Sequence, residues 1–200
     1  MSETTSTSPA PEAQEAAQAQ QAPRESQKTP TARDPVHRTA YAFEREGENA
    51  WVYTWMDPGG HLPEHFHPVT EERWASLDGT VRVKLNGTWR DLVPADGPVV
   101  VAPGDRHELR NDSGRQVYLR CEVIPGGRLE EFLTESSWAA QEGLFNAHNL
   151  PRNLRGALWV AEFADRFRDE TVMCSPPPAL QRLIVPPIAR LARRRKAASG

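Results

Sequence analysis

Apolar and polar side chains form short β-type runs between residues 39 and 124. Turn residues separate seven such runs, at residues 39–45, 50–57, 72–78, 80–86, 88–93, 98–103 and 116–124. The clearest alternation has apolar side chains at residues 81, 83 and 85 and ends at Asn86-Gly87, a strong signal for a two-residue hairpin. Regularly spaced short strands of this kind predict an antiparallel β-sandwich or barrel.

Beyond Gly127 the spacing of apolar residues becomes helical. Residues 129–145 and 154–167 repeat large apolar side chains near helical spacing, which predicts amphipathic helices on the outside of the barrel or across its mouth. A third, shorter helical segment follows the prolines at 176–178. Pro186-Pro187 is expected to break that segment, because proline inside a helix removes a hydrogen bond.

Residues 1–35 are mostly Ser, Thr, Ala, Gln, Glu and Pro, with almost no large apolar side chains. This composition predicts a disordered tail, because too little apolar surface is available to offset the entropy of ordering. The tail lacks the features of a signal or transit peptide. The predicted organisation is a disordered tail at 1–35, a β-barrel at 36–127 and a helical extension at 128–200.

Net charge and cysteine content limit the classes of partner. The formal net charge is -3, so the chain lacks the basic footprint of a nucleic-acid-binding domain. Cys121 and Cys174 lie far apart and form no CxxC pair, which favours a reducing, cytoplasmic compartment over a disulfide framework or a zinc ribbon. No apolar stretch is long enough to span a bilayer.

Three histidines have the spacing of metal ligands. His65 and His67 lie two residues apart in a predicted strand, so both imidazoles would project from the same face. His107 follows Pro103-Gly104, a turn signal that delivers it onto a new strand. Three histidines with a carboxylate suit a borderline divalent metal such as Fe(II), Mn, Ni, Cu or Zn.

The carboxylate is chosen between Glu71 and Glu72. In a strand, Glu72 shares a face with Trp74 and Ser76, whereas Glu71 shares the opposite face with Arg73. If the bulky Trp74 points into the interior, Glu72 points there too. We therefore predict Glu72 as the fourth ligand.

These residues resemble the two sequence motifs of the cupin superfamily. The first motif is a glycine, a His-X-His pair, a glutamate and a second glycine at fixed spacings, and it is matched by Gly59, His65, His67, Glu72 and Gly79. The second motif is matched by Gly97, Pro103, Gly104, His107 and Asn111. The one departure is a missing residue between Pro103 and Gly104, which affects the local turn.

The resemblance covers residues 38–125 and implies a mainly β fold. The expected architecture is a single cupin double-stranded β-helix, a jelly-roll barrel, followed here by C-terminal α-helices. The resemblance also implies a homodimer and a metal inside the barrel, held by His65, His67, Glu72 and His107.

Four protein ligands leave two positions open on a metal that accepts six. Our first hypothesis is a non-haem Fe(II) oxygenase, of the dioxygenase kind, acting on a small organic molecule. The same ligands suit a metal-dependent isomerase, cyclase or decarboxylase. A third hypothesis is a cupin that binds a small molecule without catalysis, and the ligands alone do not separate the three.

Three further residues are candidates for contact with a substrate. Trp74 shares a strand face with Glu72, and Tyr53 lies on an aromatic strand face. Arg120 would orient an anionic or carbonyl-bearing group if its face pointed inward. The alternative is that the aromatic residues fill the barrel and Arg120 faces solvent, because the opposite face of residues 117–123 is more apolar.

A basic cluster at residues 193–196 permits two interpretations. It would contact an anionic membrane surface weakly, or it would form a solvated helix end whose cations complement the helix dipole. The short apolar stretch, interrupted by prolines, favours the solvated helix end. The remaining histidines, His37, His61 and His148, are expected at the surface or in loops.

Overall fold

A computed structural model describes residues 28–199, which contain β-strands followed by α-helices. The strands are β1 (Ala32–Asp34), β2 (Thr39–Glu46), β3 (Asn49–Met56), β4 (His61–Phe66), β5 (Glu71–Asp78), β6 (Val81–Leu85), β7 (Thr88–Leu92), β8 (Val99–Val101), β9 (His107–Arg110), β10 (Val117–Ile124) and β11 (Val172–Met173). The helices are α1 (Leu129–Gln141), α2 (Leu154–Arg166) and α3 (Pro178–Ser199). Every predicted strand run is present as a strand.

The strands form two antiparallel sheets. The six-stranded sheet has the order β1-β2-β3-β10-β5-β8, and the five-stranded sheet has the order β11-β4-β9-β6-β7. Strands that are neighbours in space are often distant in sequence, because the chain passes back and forth between the sheets as in a jelly roll. The predicted mainly β barrel with C-terminal helices is confirmed.

The hydrophobic core lies between the two sheets. Leu119 and Cys121 from β10 belong to the same core cluster as Val83 from β6 and Leu109 from β9, and all four side chains are fully buried. Side chains alternate along a strand, so the residues between these positions face outward. Residues of β10 and β5 can therefore be assigned to the interior or the exterior by their parity.

The helices lie outside this core. α1 packs against β1, and α2 packs against α3. α3 runs without a break through Pro186 and Pro187, so the predicted break is wrong. The two prolines remove N–H donors from the helix. Beyond them the helix packs against α2, and Ala189 and Ala192 are buried there. No helix between residues 28 and 199 has the length and apolar character needed to cross a membrane.

β1 lies before the predicted tail boundary at residue 35. Ala32 and Asp34 of β1 are buried, and Arg33 pairs with Ala40 of β2. A three-residue edge strand leaves no pattern in the composition, which is why this part of the predicted tail is corrected to a strand. Residues 1–27 of that tail lie outside the described residues.

Asn111 connects two loops at the end of β9. Its fully buried side chain donates from Nδ2 to the carbonyl oxygens of Met56 and Arg115, both at 2.8 Å. Its backbone amide donates to the Gly60 carbonyl at 2.9 Å. Asn111 thus holds the loop between β3 and β4 against the loop that leads into β10.

Replacing Asn111 with alanine is expected to lower the free energy of unfolding by about 2 kcal/mol, because the buried Met56 carbonyl loses the side-chain donor that ties it to the loop before β10. Urea denaturation followed by tryptophan fluorescence measures this change. The matched substitution Asn49→Ala, at the half-buried start of β3, should cost less than about 0.5 kcal/mol. Equal losses in the two variants would contradict the connecting role of Asn111.

Candidate metal centre

Neighbouring strands of the five-stranded sheet place two predicted ligands directly opposite each other. His65 in β4 pairs with His107 in β9, and their ring centroids are 4.1 Å apart. His67 follows the end of β4, with its ring centroid 5.0 Å from that of His65. The two-residue spacing therefore brings both imidazoles to the same site.

Glu72 completes the cluster from the six-stranded sheet. It lies in β5, and its side chain is 2% exposed. One ligand atom from each of His65, His67, Glu72 and His107 lies within 4.8 Å of the others. The structure thus brings together all four predicted ligands in a group that can hold a metal ion.

Two ring nitrogens in this cluster face the Glu72 carboxylate. His67 Nε2 lies 3.1 Å from Glu72 Oε1, and His107 Nε2 lies 3.0 Å from Glu72 Oε2. Both nitrogens are buried, and within residues 28–199 neither has a partner in hydrogen-bond geometry. Because buried polar atoms are normally paired, this arrangement fits ligand atoms that converge on a shared cation.

The backbone fixes the other nitrogen of each imidazole. Each Nδ1 lies near a carbonyl oxygen: that of Pro63 at 2.7 Å from His65, that of Glu170 at 2.7 Å from His67, and that of Asp105 at 3.4 Å from His107. A ring nitrogen that donates to a carbonyl carries the proton, which leaves the Nε2 lone pair for a metal. The backbone therefore selects Nε2 as the ligand atom in each ring.

A tight turn joins the two halves of the site. The amide of Asp105 donates to the Ala102 carbonyl at 3.0 Å, and Gly104 has a φ of 86°. Proline at the second position and positive φ at the third define a type II turn, which requires glycine there. The Gly104 amide also donates to the His67 carbonyl at 2.8 Å. The shorter second motif still forms a turn that contacts the first.

Trp74 supports the ligand carboxylate. Its Nε1 donates to Glu72 Oε2 at 2.8 Å, and both side chains are buried. The predicted substrate residue Trp74 thus lies beside a ligand and orients it. Glu71 instead accepts from Arg73 at 2.8 Å on the outer surface, so the choice of Glu72 over Glu71 agrees with the structure.

The ligands shift one another's pKa values. Burial acts to raise the pKa of Glu72, but His67 and His107 hold it well below its ordinary value. Burial acts to lower the pKa of His67, but the Glu72 carboxylate raises it above its ordinary value. Burial and the neighbouring histidines lower the pKa of His65 well below its ordinary value. An ionised Glu72 and a neutral His65 are both in the form that binds metals.

Tyr53 and Arg120 lie on the outer face of the six-stranded sheet, away from the ligands. They are cross-strand partners in β3 and β10, and Tyr53 packs in a separate aromatic cluster with Trp55 and Tyr118. The alternation that turns Leu119 inward turns Arg120 outward. The structure therefore does not bring these two residues to the metal ligands, and their contact with a substrate stays a prediction.

The C-terminal extension reaches the site, a contact that the sequence pattern does not predict. β11 pairs with β4, with Met173 opposite His65. Thr171 Oγ1 lies 3.4 Å from His67 Nδ1, the same atom that faces the Glu170 carbonyl. A two-residue strand and a backbone carbonyl have no sequence signature, so no signal in the chain marks these contacts.

His37 lies in the loop between β1 and β2, one of its two predicted positions, but it is buried there and not at the surface. Its Nδ1 lies 2.7 Å from Asp34 Oδ2, and both side chains are buried. The partner comes from β1, a strand that the sequence pattern does not reveal. His61 is half-buried and His148 is exposed, and the ligand cluster includes none of these three histidines.

Several solved structures resemble this chain in fold. The cupin domain of Schizosaccharomyces pombe Cnp3 is 21% identical with a TM-score of 0.41, covering 47% of this chain and 69% of that chain. KdgF from Halomonas sp. is 16% identical with a TM-score of 0.44, covering 49% and 89%. An RmlC-like cupin from Shewanella frigidimarina is 17% identical with a TM-score of 0.45, covering 51% and 89%. These likenesses concern the fold alone.

A relative of higher sequence identity matches a shorter stretch of this chain than the solved structures do. An oxidoreductase of Arthrobotrys oligospora is 34% identical over 58 residues, and the match spans 29% of this chain and 23% of the relative's own length. No protein-family model matches the chain. The two antiparallel sheets and a His/Glu cluster assembled from both motifs confirm the predicted cupin fold.

Replacing Glu72 with glutamine is expected to weaken the affinity for a divalent metal ion, with Fe(II) as the probe, by at least about 100-fold, because the charged ligand of the cluster is lost. Anaerobic calorimetric titration of the metal-free protein measures the affinity. The adjacent substitution Glu71→Gln, on the outer face, should change it by less than about threefold. Similar losses in the two variants would refute the assignment of Glu72.

Replacing Trp74 with phenylalanine is expected to weaken the affinity for the same divalent metal probe by roughly 10-fold, because Glu72 loses the donor that orients it. The same titration measures the effect. Trp55→Phe is the matched control, since Trp55 is equally buried but lies in the outer aromatic cluster. An unchanged affinity in Trp74→Phe would show that this hydrogen bond does not support the site.

Proposed function

We propose that this cupin-fold protein is a non-haem Fe(II) oxygenase, of the dioxygenase kind, that acts on a small organic molecule. The observation that carries the proposal is the convergence of three imidazoles and one carboxylate, from His65, His67, Glu72 and His107. A nitrogen-rich set completed by oxygen suits borderline divalent metals. Iron is favoured, and Mn, Ni, Cu and Zn are compatible with the same ligands.

Thiolate ligands play no part in the proposed iron site. The ligand cluster contains no cysteine. Burial raises the pKa of Cys121 well above its ordinary value, so this core residue stays a neutral thiol. When bound, iron would supply redox chemistry and Lewis acidity at the centre of the cluster.

Apolar side chains flank the ligands on the interior faces of the strands. Direct cross-strand neighbours share a face, and those of the ligands are Val101 and Val123 beside Glu72, Leu85 beside His107, and Met173 beside His65. Such walls exclude water from the centre and favour a small, largely apolar substrate over a highly charged one.

The open side of the site is that of His65. His65 is half-buried, whereas the side chains of His67, Glu72 and His107 are at most 2% exposed. A substrate would therefore approach past β4 and β11, where Met173 lies opposite His65. The lowered pKa of His65, caused by burial and the other histidines, keeps its imidazole neutral on this approach.

The relative named as an oxidoreductase supports the proposed reaction class over its matched stretch.

We also propose a homodimer, as the cupin resemblance implies, in a reducing cytoplasmic compartment. Cys121 and Cys174 are both free, which fits such a compartment. Light scattering of the purified protein would measure the subunit number.

Anaerobic loading with Fe(II) is expected to give about one iron per chain and oxygen consumption that requires an aromatic or enolic compound. Elemental analysis and an oxygen electrode measure the two quantities. Tight zinc or nickel without oxygen uptake would instead support a metal-dependent isomerase, cyclase or decarboxylase. A protein that binds no metal would be a small-molecule-binding cupin without catalysis.

The paired substitution of His65 and His67 by alanine is the control for this assay. We expect it to abolish both iron binding and oxygen uptake, while the β-sheet circular dichroism spectrum is retained because the core has its own packing. Stoichiometric iron in this variant would refute the ligand assignment.

A further inference from the structure

The outer face of α3 presents a continuous apolar stripe. Five large side chains on this helix are 36% to 74% exposed: Leu180, Leu183, Ile184, Ile188 and Leu191. Leu180, Ile184, Ile188 and Leu191 repeat at intervals of three or four residues and so share one face of the helix, and Leu183 lies at its edge. Ala189 and Ala192 are buried on the side where α3 packs against α2. Contiguous exposed apolar surface of this kind marks an interaction site.

Positive charge accompanies the stripe. α3 contains no aspartate or glutamate. On its packed side, Arg193 pairs with Asp165 at 2.9 Å and Lys196 pairs with Glu162 at 2.7 Å. Among the exposed arginines of α3, Arg190 and Arg194 lie one turn apart and, within residues 28–199, outside any ion pair. The exposed face therefore combines apolar side chains with cations that are not neutralised.

We propose that this face of α3 docks the protein on an anionic lipid bilayer. The apolar stripe would enter the boundary between headgroups and acyl chains, as interfacial amphipathic helices do. Arg190 and Arg194 would extend their side chains to the negative headgroups. Because α3 continues through Pro186-Pro187, its stripe is long enough to act as one surface.

Other occupants match the face less well. A second copy that paired its own α3 with this one would bring the arginines of both helices together, with no acidic side chain on either helix to neutralise them. Nucleic acid would engage the arginines through its phosphates but would leave the apolar stripe in water. An anionic bilayer accommodates both components of the surface.

A cavity lies on the packed side of α3. It has a volume of about 680 Å³ and lies among the three helices, where its lining includes Trp138, Leu154, Ala192 and Arg195. Trp138 is 46% exposed and Leu154 is 65% exposed. The lining also includes the acidic Glu135 and Glu162 and none of the five stripe residues, so the proposal depends on the stripe and not on this cavity.

Co-sedimentation of the full-length chain with vesicles tests the proposal. We expect binding to phosphatidylcholine vesicles that contain phosphatidylglycerol, no binding to phosphatidylcholine alone, and weaker binding as salt increases. The pair Leu183→Ser and Leu191→Ser should reduce the affinity by at least about tenfold. The pair Arg190→Glu and Arg194→Glu should reduce it by roughly fivefold or more for each charge.

Exposed positions outside α3 provide matched controls. Val100→Ser and Arg90→Glu alter a similarly exposed apolar residue and a similarly exposed cation, and both variants should bind like the parent. The proposal is overturned if the parent does not bind the anionic vesicles, or if the α3 variants bind as well as the parent. It is also overturned if light scattering without lipid shows an oligomer that Leu183→Ser and Leu191→Ser dissociate, since α3 would then be a subunit interface.

Discussion

Glu72 carries a negative charge into the space between the two sheets, where its side chain is 2% exposed. A buried carboxylate is costly unless charges and hydrogen bonds compensate it. His67 and His107 supply the nearby imidazoles and Trp74 supplies an indole N–H. These groups come from both sheets, so the interior stays intact only when the sheets keep their present positions. The geometry of the metal centre therefore depends on the packing of the two sheets against each other.

The helical extension also supports the metal centre, although it lies outside the barrel. The carbonyl of Glu170 fixes the ring of His67, and β11 continues the five-stranded sheet beside His65. Residues after the predicted barrel boundary at 127 thus hold a ligand that lies before it. A division of the chain into barrel and extension describes its secondary structure, whereas the site depends on both parts.

Features with a local period or a fixed spacing could be predicted from the sequence. The His65-X-His67 pair and the parity of β5 identified ligands because strand geometry alone determines which side chains share a face. The same alternation indicates that Arg120 faces outward, because its neighbours Leu119 and Cys121 are the apolar residues. This kind of prediction does not reach β1, β11 and the unbroken α3. The two short strands are stabilised by pairing with distant segments, and α3 is stabilised by tertiary packing in spite of its two internal prolines.

The positions of the ligands along the chain have a consequence for folding. His65 and His107 meet across β4 and β9, and Glu72 joins them from the other sheet. Contacts between such distant segments form late, because chain-closure entropy opposes them until the strands have paired. A cation would find its full set of ligands only in the completed barrel and would then stabilise the native state by mass action. The supply of that cation would thus influence how much newly made chain remains folded.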